Sequence, residues 1–346
     1  MGRDRRFRAT LLLGFLLGAA FLYLVLSHVD ARAALRQIRQ VRFESLALVL
    51  LLTLGNFLTR GWRWQKLFPS AVAPPFCTCY HINMISLLAN NALPGRGGDI
   101  LRCVLLGRSV PAIGSTMAAA TLGVEKLFDG LALLGVVLFS FLFWTPPEWV
   151  GRLTWIAGAV FFGVIILLFT FLRRHEVFAH VGKALFSRLG MPGLGERAGD
   201  MCLRFAQGLD SVTTPAGLAR IFAFTAVIWM LDAAVVALLA HAAGVSLSLM
   251  QSALVSAIIG LGLMIPAAPG YVGTYEFFAV SVLGLLGVPG DKGLAVALLL
   301  HAWTLLTTTL VGMVSVSASG NSFFRLLNWR SRNEIDYEPD TRSQRL

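Results

Sequence analysis

The amino-acid sequence predicts an all-α integral membrane protein with about six full transmembrane helices and two broken or re-entrant helical hairpins. Hydrophobic residues make up 56% and charged residues only 14% of the 346 residues, whereas an ordinary soluble domain carries about 25% charged residues. Apolar runs of the length needed to cross a bilayer, about 20 residues, recur along the whole chain. The basic residues, which give a net charge of +11, stand mostly beside these runs. This placement is typical of cytoplasmic anchoring against anionic lipid, so we expect no nucleic-acid partner.

Six apolar segments predict the full crossings. They are residues 9–28, 43–60, 112–145, 153–172, 219–243 and 293–316. The first segment is too long for the apolar region of a signal peptide, so we expect it to stay in the protein. After the second segment, Arg60, Arg63 and Lys66 alternate with tryptophans. Basic and aromatic residues mixed in this way are typical of the membrane–water interface, where we expect them to act as anchors.

The charge distribution predicts the orientation of the chain. The positive-inside rule places the N-terminus, residues 60–66 and 173–217, and the tail 319–346 in the cytoplasm, and six crossings agree with two cytoplasmic termini. We expect residues 1–318 to form a single membrane domain, with 173–217 as an amphipathic segment on its cytoplasmic surface. Residues 30–42 carry four arginines that this orientation places outside, unless the segment is an interfacial helix.

Two further segments, 77–109 and 250–288, consist of two apolar halves around a break rich in proline and glycine. The breaks contain Pro94, Gly95, Gly97 and Gly98, and Pro266, Pro269, Gly270 and Gly273. Non-helical backbone is tolerated at membrane depth only where it is buried in protein or lines a wet cavity. Entering from opposite sides, the two hairpins would form an inverted repeat whose breaks meet near the midplane, as in transporters. The alternative is that each segment is an ordinary crossing with a proline kink.

The first break also predicts an anion site. A helix that starts near Asp99 would point free N–H groups and its dipole into the break. Arg96 and Arg102 would add positive charge, and guanidinium groups bind phosphate oxygens in pairs. These features suit a phosphodiester head group. The alternative is that Arg96 and Asp99 only pair with each other and cap the helix.

Four carboxylates stand in apolar surroundings, where ionisable groups are costly and are functional candidates. Glu125 and Asp129 share one helix face because they are four residues apart, and Asp232 and Glu276 lie in later apolar segments. The cations near these carboxylates are Arg96, Arg102 and Lys126. The alternative to a functional role is that Lys126 only neutralises one carboxylate within the protein. A zwitterionic or amine-bearing substrate, or a proton, would complete the charge balance.

His301, inside the last apolar segment, is either a packed polar contact or a proton relay. The sequence shows no nucleotide-binding glycine motif and no metal-ligand spacing, so we predict no catalytic residue, no metal and no cofactor.

Three motifs, at 90–102 (NNALPGRGGDILR), 124–129 (VEKLFD) and 266–276 (PAAPGYVGTYE), carry a family resemblance. They resemble the membrane region of lysylphosphatidylglycerol synthases, a flippase-like family of bacterial and archaeal membrane proteins, over roughly residues 10–318. The family's usual acidic residue after the glycine pair is Glu, and here it is the shorter Asp99. The family pattern matches Arg96, Asp99, Arg102, Glu125, Asp129, Pro269, Gly270, Gly273 and Glu276.

The resemblance implies a lipid flippase or lipid-transport protein of the bacterial inner membrane, with a membrane lipid that has an anionic or zwitterionic head group as substrate. In the full-length synthases a soluble aminoacyl-transferase domain makes the lipid that the membrane part flips, and the tail 319–346 is too short for such a domain. Two other functions stay open. One is a membrane-embedded transferase with Glu125, Asp129 or Asp232 as general base. The other is a non-catalytic scaffold that binds a lipid-synthesis enzyme, for example in hopanoid or glycolipid synthesis. A homo-oligomer is compatible with each.

Overall fold

The computed structural model describes residues 16–27, 29–30, 32–34, 45–93, 96–142, 148–188, 192–209, 212–265 and 267–319. Within these ranges the regular structure is helical and contains no strand. The longer helices are α1 Leu16–Ser27, α2 Leu46–Lys66, α3 Phe76–Ala92, α4 Gly97–Ser109, α5 Gly114–Ser140, α6 Glu148–Arg188, α7 Pro192–Gln207, α8 Pro215–Ala242, α9 Leu249–Gly262, α10 Thr274–Leu285 and α11 Gly290–Ala318.

Each of the six predicted crossings corresponds to a helix: α1, α2, α5, α6, α8 and α11 in chain order. Among the described helices, α8 and α11 are long and apolar enough to cross a membrane by length and composition alone. The others are interrupted by charge or are shorter; α5, for example, contains Glu125, Lys126 and Asp129. The number of full crossings therefore stays a prediction.

Local sequence signals set several helix starts. Thr214 accepts a hydrogen bond from the backbone N–H of Gly217 at 3.1 Å at the start of α8. Ser248 and Gln251 form a capping box at the start of α9. These caps satisfy backbone N–H groups that the first turn of a helix leaves without partners.

The segment 77–109 forms a helical hairpin. Cys79 and Ile82 of α3 pack in one buried cluster with Cys103 and Leu106 of α4, so the chain turns back on itself after α3. Gly98 allows this close packing, because a Cβ there would lie 2.1 Å from the carbonyl oxygen of Ser86. With 13 residues, α4 is about 20 Å long and falls short of the ~30 Å hydrocarbon layer.

The segment 250–288 forms a second hairpin, of α9 and α10. Gly262, at the end of α9, lies against the ring of Phe278, and Ser248, before α9, shares a crevice with Leu285 at the end of α10. The structure therefore confirms two broken hairpins rather than kinked through-going helices.

The order long helix, hairpin, long helix occurs twice, as α2, α3–α4, α5 and again as α8, α9–α10, α11. The first helices of the two units run antiparallel. Asn56 of α2 donates to the carbonyl of Ile228 of α8 at 2.8 Å. Arg63, about two turns later in α2, donates to Thr225, which lies earlier in α8, at 3.1 Å. Equivalent helices thus point in opposite directions, which is the geometry of an inverted repeat.

Each hairpin packs against the closing helix of the other unit. Asn91 of α3 donates to Thr308 of α11 at 2.8 Å. In the equivalent pair, Gly260 of α9 lies against Leu133 of α5. Because of this exchange, neither hairpin can move without changing its contact with the other unit.

The breaks of the two hairpins meet. The first tip comprises Leu93 and Arg96, and the second comprises 263–265 and 267–273; both line a small cavity of about 80 Å³. Each tip contains a non-glycine residue with positive φ, Arg96 at 56° and Tyr271 at 59°. Such backbone costs of order 1–3 kcal/mol and persists only where the surroundings impose it.

Of the predicted break residues, Gly97 and Gly98 begin α4, and Pro269 begins a short 3₁₀ turn. Gly270 and Gly273 have φ of 67° and 84°, which glycine adopts without strain. Pro94, Gly95 and Pro266 lie outside the described residues.

The predicted amphipathic segment 173–217 contains two helical stretches. Helix α6 bends at Arg174, where the backbone is not helical, and continues to Arg188. Helix α7 follows and packs on α6 and α5. The cytoplasmic position of this segment stays a prediction, and most of 30–42 and residues 320–346 lie outside the described ranges.

The hairpin geometry predicts a labelling pattern for single cysteines in membrane vesicles. Cysteines at Gln251 and Gly290 should both react with an impermeant maleimide from outside the cell, since the hairpin between them returns to its side of entry. Cysteines at Lys183 and Arg197 should react only from the cytoplasm. If Gln251 and Gly290 label from opposite sides, the second hairpin crosses the membrane and this topology is wrong.

Candidate functional site

The two repeats enclose a cavity of about 280 Å³ between the hairpins, in which charged side chains stand among apolar ones. Its charged lining consists of Arg60, Arg96, Asp99, Arg102, Glu125, Lys126, Asp129 and Asp232. Six of the seven predicted binding side chains, all except Glu276, are therefore brought to one cavity. That they bind a substrate stays a prediction.

Arg102 and Glu125 form a buried ion pair in the cavity wall. The guanidinium of Arg102 donates to both carboxylate oxygens of Glu125, at 3.0 and 2.9 Å. The flat face of the same guanidinium lies over the ring of Trp64, with Cζ 3.7 Å from the ring centroid. This is a favourable cation–π arrangement. Trp64 is held in turn by a hydrogen bond to Thr121 at 3.2 Å. Arg102 is therefore fixed, and its charge is committed to Glu125.

Arg63 neutralises the second carboxylate of α5. It donates to both oxygens of Asp129, at 2.6 and 3.0 Å, and its Nη2 lies 3.5 Å from Glu125. Trp229 of α8 also donates to Asp129, at 3.2 Å. Arg63 and Arg102 together enclose two carboxylates that stand one helical turn apart.

The position of Arg63 corrects the sequence analysis, which placed this residue at the membrane interface. Its side chain is 0% exposed. The missed signal is the spacing of Asn56, Arg60 and Arg63, four and three residues apart. This spacing puts the three on one face of an otherwise apolar helix, and a polar stripe of that kind indicates a helix face directed into the protein.

Asp99 holds a more accessible cluster at the first tip. Its Oδ2 lies 3.4 Å from Nε of Arg96 and 3.3 Å from Nζ of Lys126, and the exposed fractions of the two cations are 35% and 33%. Helix α4 begins at Gly97, close to the predicted start. The first-turn N–H of Gly98 is already bound by Asn90, at 2.9 Å. The alternative pairing of Arg96 with Asp99 is therefore present.

Arg60 and Asp232 are the least committed charges of the cavity wall. Arg60 donates to Asn56 at 2.7 Å and lies 5.9 Å from the ring of Trp229. Asp232 makes no ion pair within 4.0 Å among the residues that the structure describes, and Arg60 is the cation that acts on it. Both side chains thus retain capacity for a ligand.

The charge balance of the site differs from the one the sequence suggested. With Arg60 and Arg63 included, the cations exceed the acids by one: Arg60, Arg63, Arg96, Arg102 and Lys126 against Asp99, Glu125, Asp129 and Asp232. Arg63 lies behind the lining, whose own four cations and four acids balance, so the excess positive charge belongs to the site as a whole and favours a ligand with net negative charge.

Glu276 lies behind the cavity rather than in its lining. One carboxylate oxygen accepts the N–H of Gly273 at 2.7 Å, and the other lies 2.5 Å from Nδ1 of His301. His301 itself lines the cavity. The sequence could not assign this pair, because 25 residues separate its members.

The family model described as Lysylphosphatidylglycerol synthase TM region matches residues 11–312. The chain belongs to this family. It is a membrane protein, and its family relates it to lipid modification or transport. Comparison with curated proteins and with solved structures gave no match.

In this member of the synthase membrane-region family, the buried ion pairs predict that replacing a buried arginine costs more stability than replacing a surface arginine. Arg63→Ala should lower the free energy of unfolding by about 3–5 kcal/mol, because Asp129 is left as an uncompensated buried charge. Arg152→Ala is the matched control: Arg152 pairs with Glu148 at 2.8 Å on the surface, and such pairs contribute about 0–1 kcal/mol. Thermal unfolding in detergent measures both.

The double variant Arg63→Ala/Asp129→Ala refines this test. Removing both partners takes away the uncompensated charge, so the double variant should be more stable than Arg63→Ala alone. Equal stability of Arg63→Ala and Arg152→Ala would contradict the buried network.

Proposed function

We propose that the protein moves lipids with anionic or zwitterionic head groups across the bacterial inner membrane, with both termini in the cytoplasm. The head group passes through the cavity between the hairpins while the acyl chains stay in the surrounding lipid. The observation that supports this proposal most directly is a cavity lined by four cations and four acids, with Arg63 buried behind Asp129, between two inverted hairpins in a family of lipid-related membrane proteins.

The contrast between cavity and exterior supports a lipid rather than a soluble substrate. Large apolar side chains cover the outer faces; Phe222, Leu310 and Val314 are exposed by 64%, 57% and 66%. Exposed apolar surface of this kind marks contact with a membrane or with another protein, and in a membrane protein acyl chains cover it. A molecule with a polar head and apolar tails would match both environments at once.

The charges of the cavity divide into fixed and available groups. Arg63 and Arg102 pair through both terminal nitrogens with Asp129 and Glu125, so their role is to hold α2, α4 and α5 in place. Arg60 makes no ion pair within 4.0 Å in the described part of the chain, while Arg96 and Lys126 share the single carboxylate Asp99. We assign the contact with the head-group phosphate to Arg60 and Arg96.

A guanidinium can bind two phosphate oxygens at once, which an ammonium cannot do with the same geometry. Asp232, which lines the same cavity, would accept a hydrogen bond from an amine or hydroxyl of the head group. An anionic group beside a hydrogen-bond donor is the combination found in anionic and zwitterionic phospholipids.

The inverted repeat supports movement between two states. Repeats of this kind in transporters exchange conformations around a fixed central site, so that the site opens alternately to each side. Here the strained residues Arg96 and Tyr271 stand at equivalent tips, where such an exchange would change backbone geometry.

Lipid transport should depend on Arg60 and Arg96. In reconstituted vesicles with a fluorescent anionic phospholipid as probe, Arg60→Gln and Arg96→Ala should each slow movement between leaflets about tenfold or more, equivalent to at least ~1.4 kcal/mol. Arg96→Lys should recover part of the rate, since a point charge replaces the bidentate guanidinium. Dithionite quenching of the outer-leaflet probe measures these rates.

Lys66→Ala provides the control, because Lys66 is exposed at the end of α2 and lies outside the cavity lining. Its transport should equal that of the natural protein. Folded Arg60→Gln and Arg96→Ala variants that transport at the natural rate would contradict the proposal and favour a scaffold role.

A further inference from the structure

Glu276 and His301 form a buried pair that the proposed head-group contacts do not use. Each residue is 4% exposed. Nδ1 of His301 lies 2.5 Å from Oε1 of Glu276, and Nε2 lies 2.7 Å from the carbonyl oxygen of Gly270. The ring of Tyr275 stacks on the imidazole at 4.4 Å with an interplanar angle of 6°.

This geometry requires one bound proton beyond the N–H that holds Gly270. A carbonyl oxygen only accepts hydrogen bonds, so Nε2 of His301 must carry a hydrogen. The short contact between Nδ1 and Glu276 then needs a second hydrogen, either on the imidazole or on the carboxyl group. In both arrangements the pair is neutral overall. Loss of this proton would set a carboxylate against a nitrogen lone pair in a buried site, which is unfavourable.

The same two side chains hold the second hairpin tip. Glu276 accepts the N–H of Gly273 at 2.7 Å, and His301 donates to the carbonyl of Gly270 at 2.7 Å. Gly270 precedes Tyr271, the strained tip residue that lines the cavity opposite Arg96. The protonated pair therefore fixes the backbone on both sides of the tip, and its deprotonation weakens that connection.

Few other charged groups face the pair. The titratable side chains near it are Tyr275 of α10, Tyr271 of the tip, and Asp232 of α8, which acts on Tyr275. Arg96 and Asp99 of the first tip act on Tyr271. Among the packed helices, α9 carries no titratable residue, and the titratable residues of α3 lie in its first half. The side chain of Tyr23 on α1 is 72% exposed. Helix α2 contributes Arg60 to the shared cavity. On α11, Asp291 and Lys292 precede His301 by nine residues or more, about 14 Å along the helix.

We propose that Glu276 and His301 form a proton-binding site that clamps the second hairpin tip when occupied, so that lipid movement is coupled to proton movement. The coupling part rests on the proposed function. The ligand is the proton itself, and His301 gives it access because this residue lines the cavity. Proton loss breaks the contact between Nδ1 of His301 and Oε1 of Glu276 and sets the two side chains against each other, which loosens the tip that they hold; proton uptake restores this contact.

Hydrogen–deuterium exchange of peptides covering 267–273 tests the proton site without any lipid substrate. Corrected for intrinsic exchange rates, protection in the natural protein should fall at least about tenfold between about pH 5 and about pH 9. Glu276→Gln should remain protected throughout. Its amide can donate to Nδ1 of His301 and accept from Gly273, and so imitates the protonated pair.

Glu148→Gln is the matched control for this experiment, because Glu148 is 86% exposed on α6; it should follow the natural protein. Constant protection of the natural protein over the whole range would overturn the proposal. A Glu276→Gln variant that loses protection in parallel with the natural protein would do the same.

Transport in proteoliposomes separates the coupling from the proposed function. An imposed pH difference should accelerate movement of a fluorescent anionic phospholipid in the natural protein and leave Glu276→Gln unaffected. Probe movement that ignores the gradient in the natural protein overturns the coupling while lipid transport stands. Absence of probe movement, together with pH-dependent tip protection, contradicts the proposed function and supports the proton site.

Discussion

An ionised carboxylate inside an apolar helical bundle is costly unless a cation pairs with it, and the architecture of this protein depends on the arginines that pair with Glu125 and Asp129. Arg102 reaches Glu125 from α4, and Arg63 reaches both acids from α2. Two carboxylates one turn apart on α5 thereby fix the relative positions of a crossing helix and a hairpin. Removing any member leaves a buried charge uncompensated, so the network specifies one arrangement of these helices.

The neutralised wall leaves a different set of charges for a ligand. Arg60, Arg96 and Lys126 face the cavity with fewer carboxylates than they would need for full pairing. The fixed network holds the helices in position, and in the proposed function the available cations attract the head-group phosphate. The inverted repeat adds a second feature, because the hairpin tips that border the cavity are strained at Arg96 and Tyr271.

The sequence predicted the class, the helices and the two hairpins, because apolar length and proline–glycine breaks are local signals. It also predicted six residues that line the cavity, because an ionisable residue in an apolar run needs a polar neighbour wherever the chain folds. Arg63 escaped prediction: basic residues beside tryptophans at a helix end look the same at an interface and in a core. The pairing of Glu276 with His301 depends on how α10 packs against α11, which no local pattern encodes.

The most direct measurement is an electron cryo-microscopy map of the protein in nanodiscs containing anionic phospholipid. We expect density for a phosphate within hydrogen-bond distance of Arg60 and Arg96, at about 2.7–3.2 Å, with acyl chains leaving the cavity between the helices. A map in which Arg60 and Arg96 contact only protein or water, while phosphates remain at the membrane surface, would contradict the proposed head-group site.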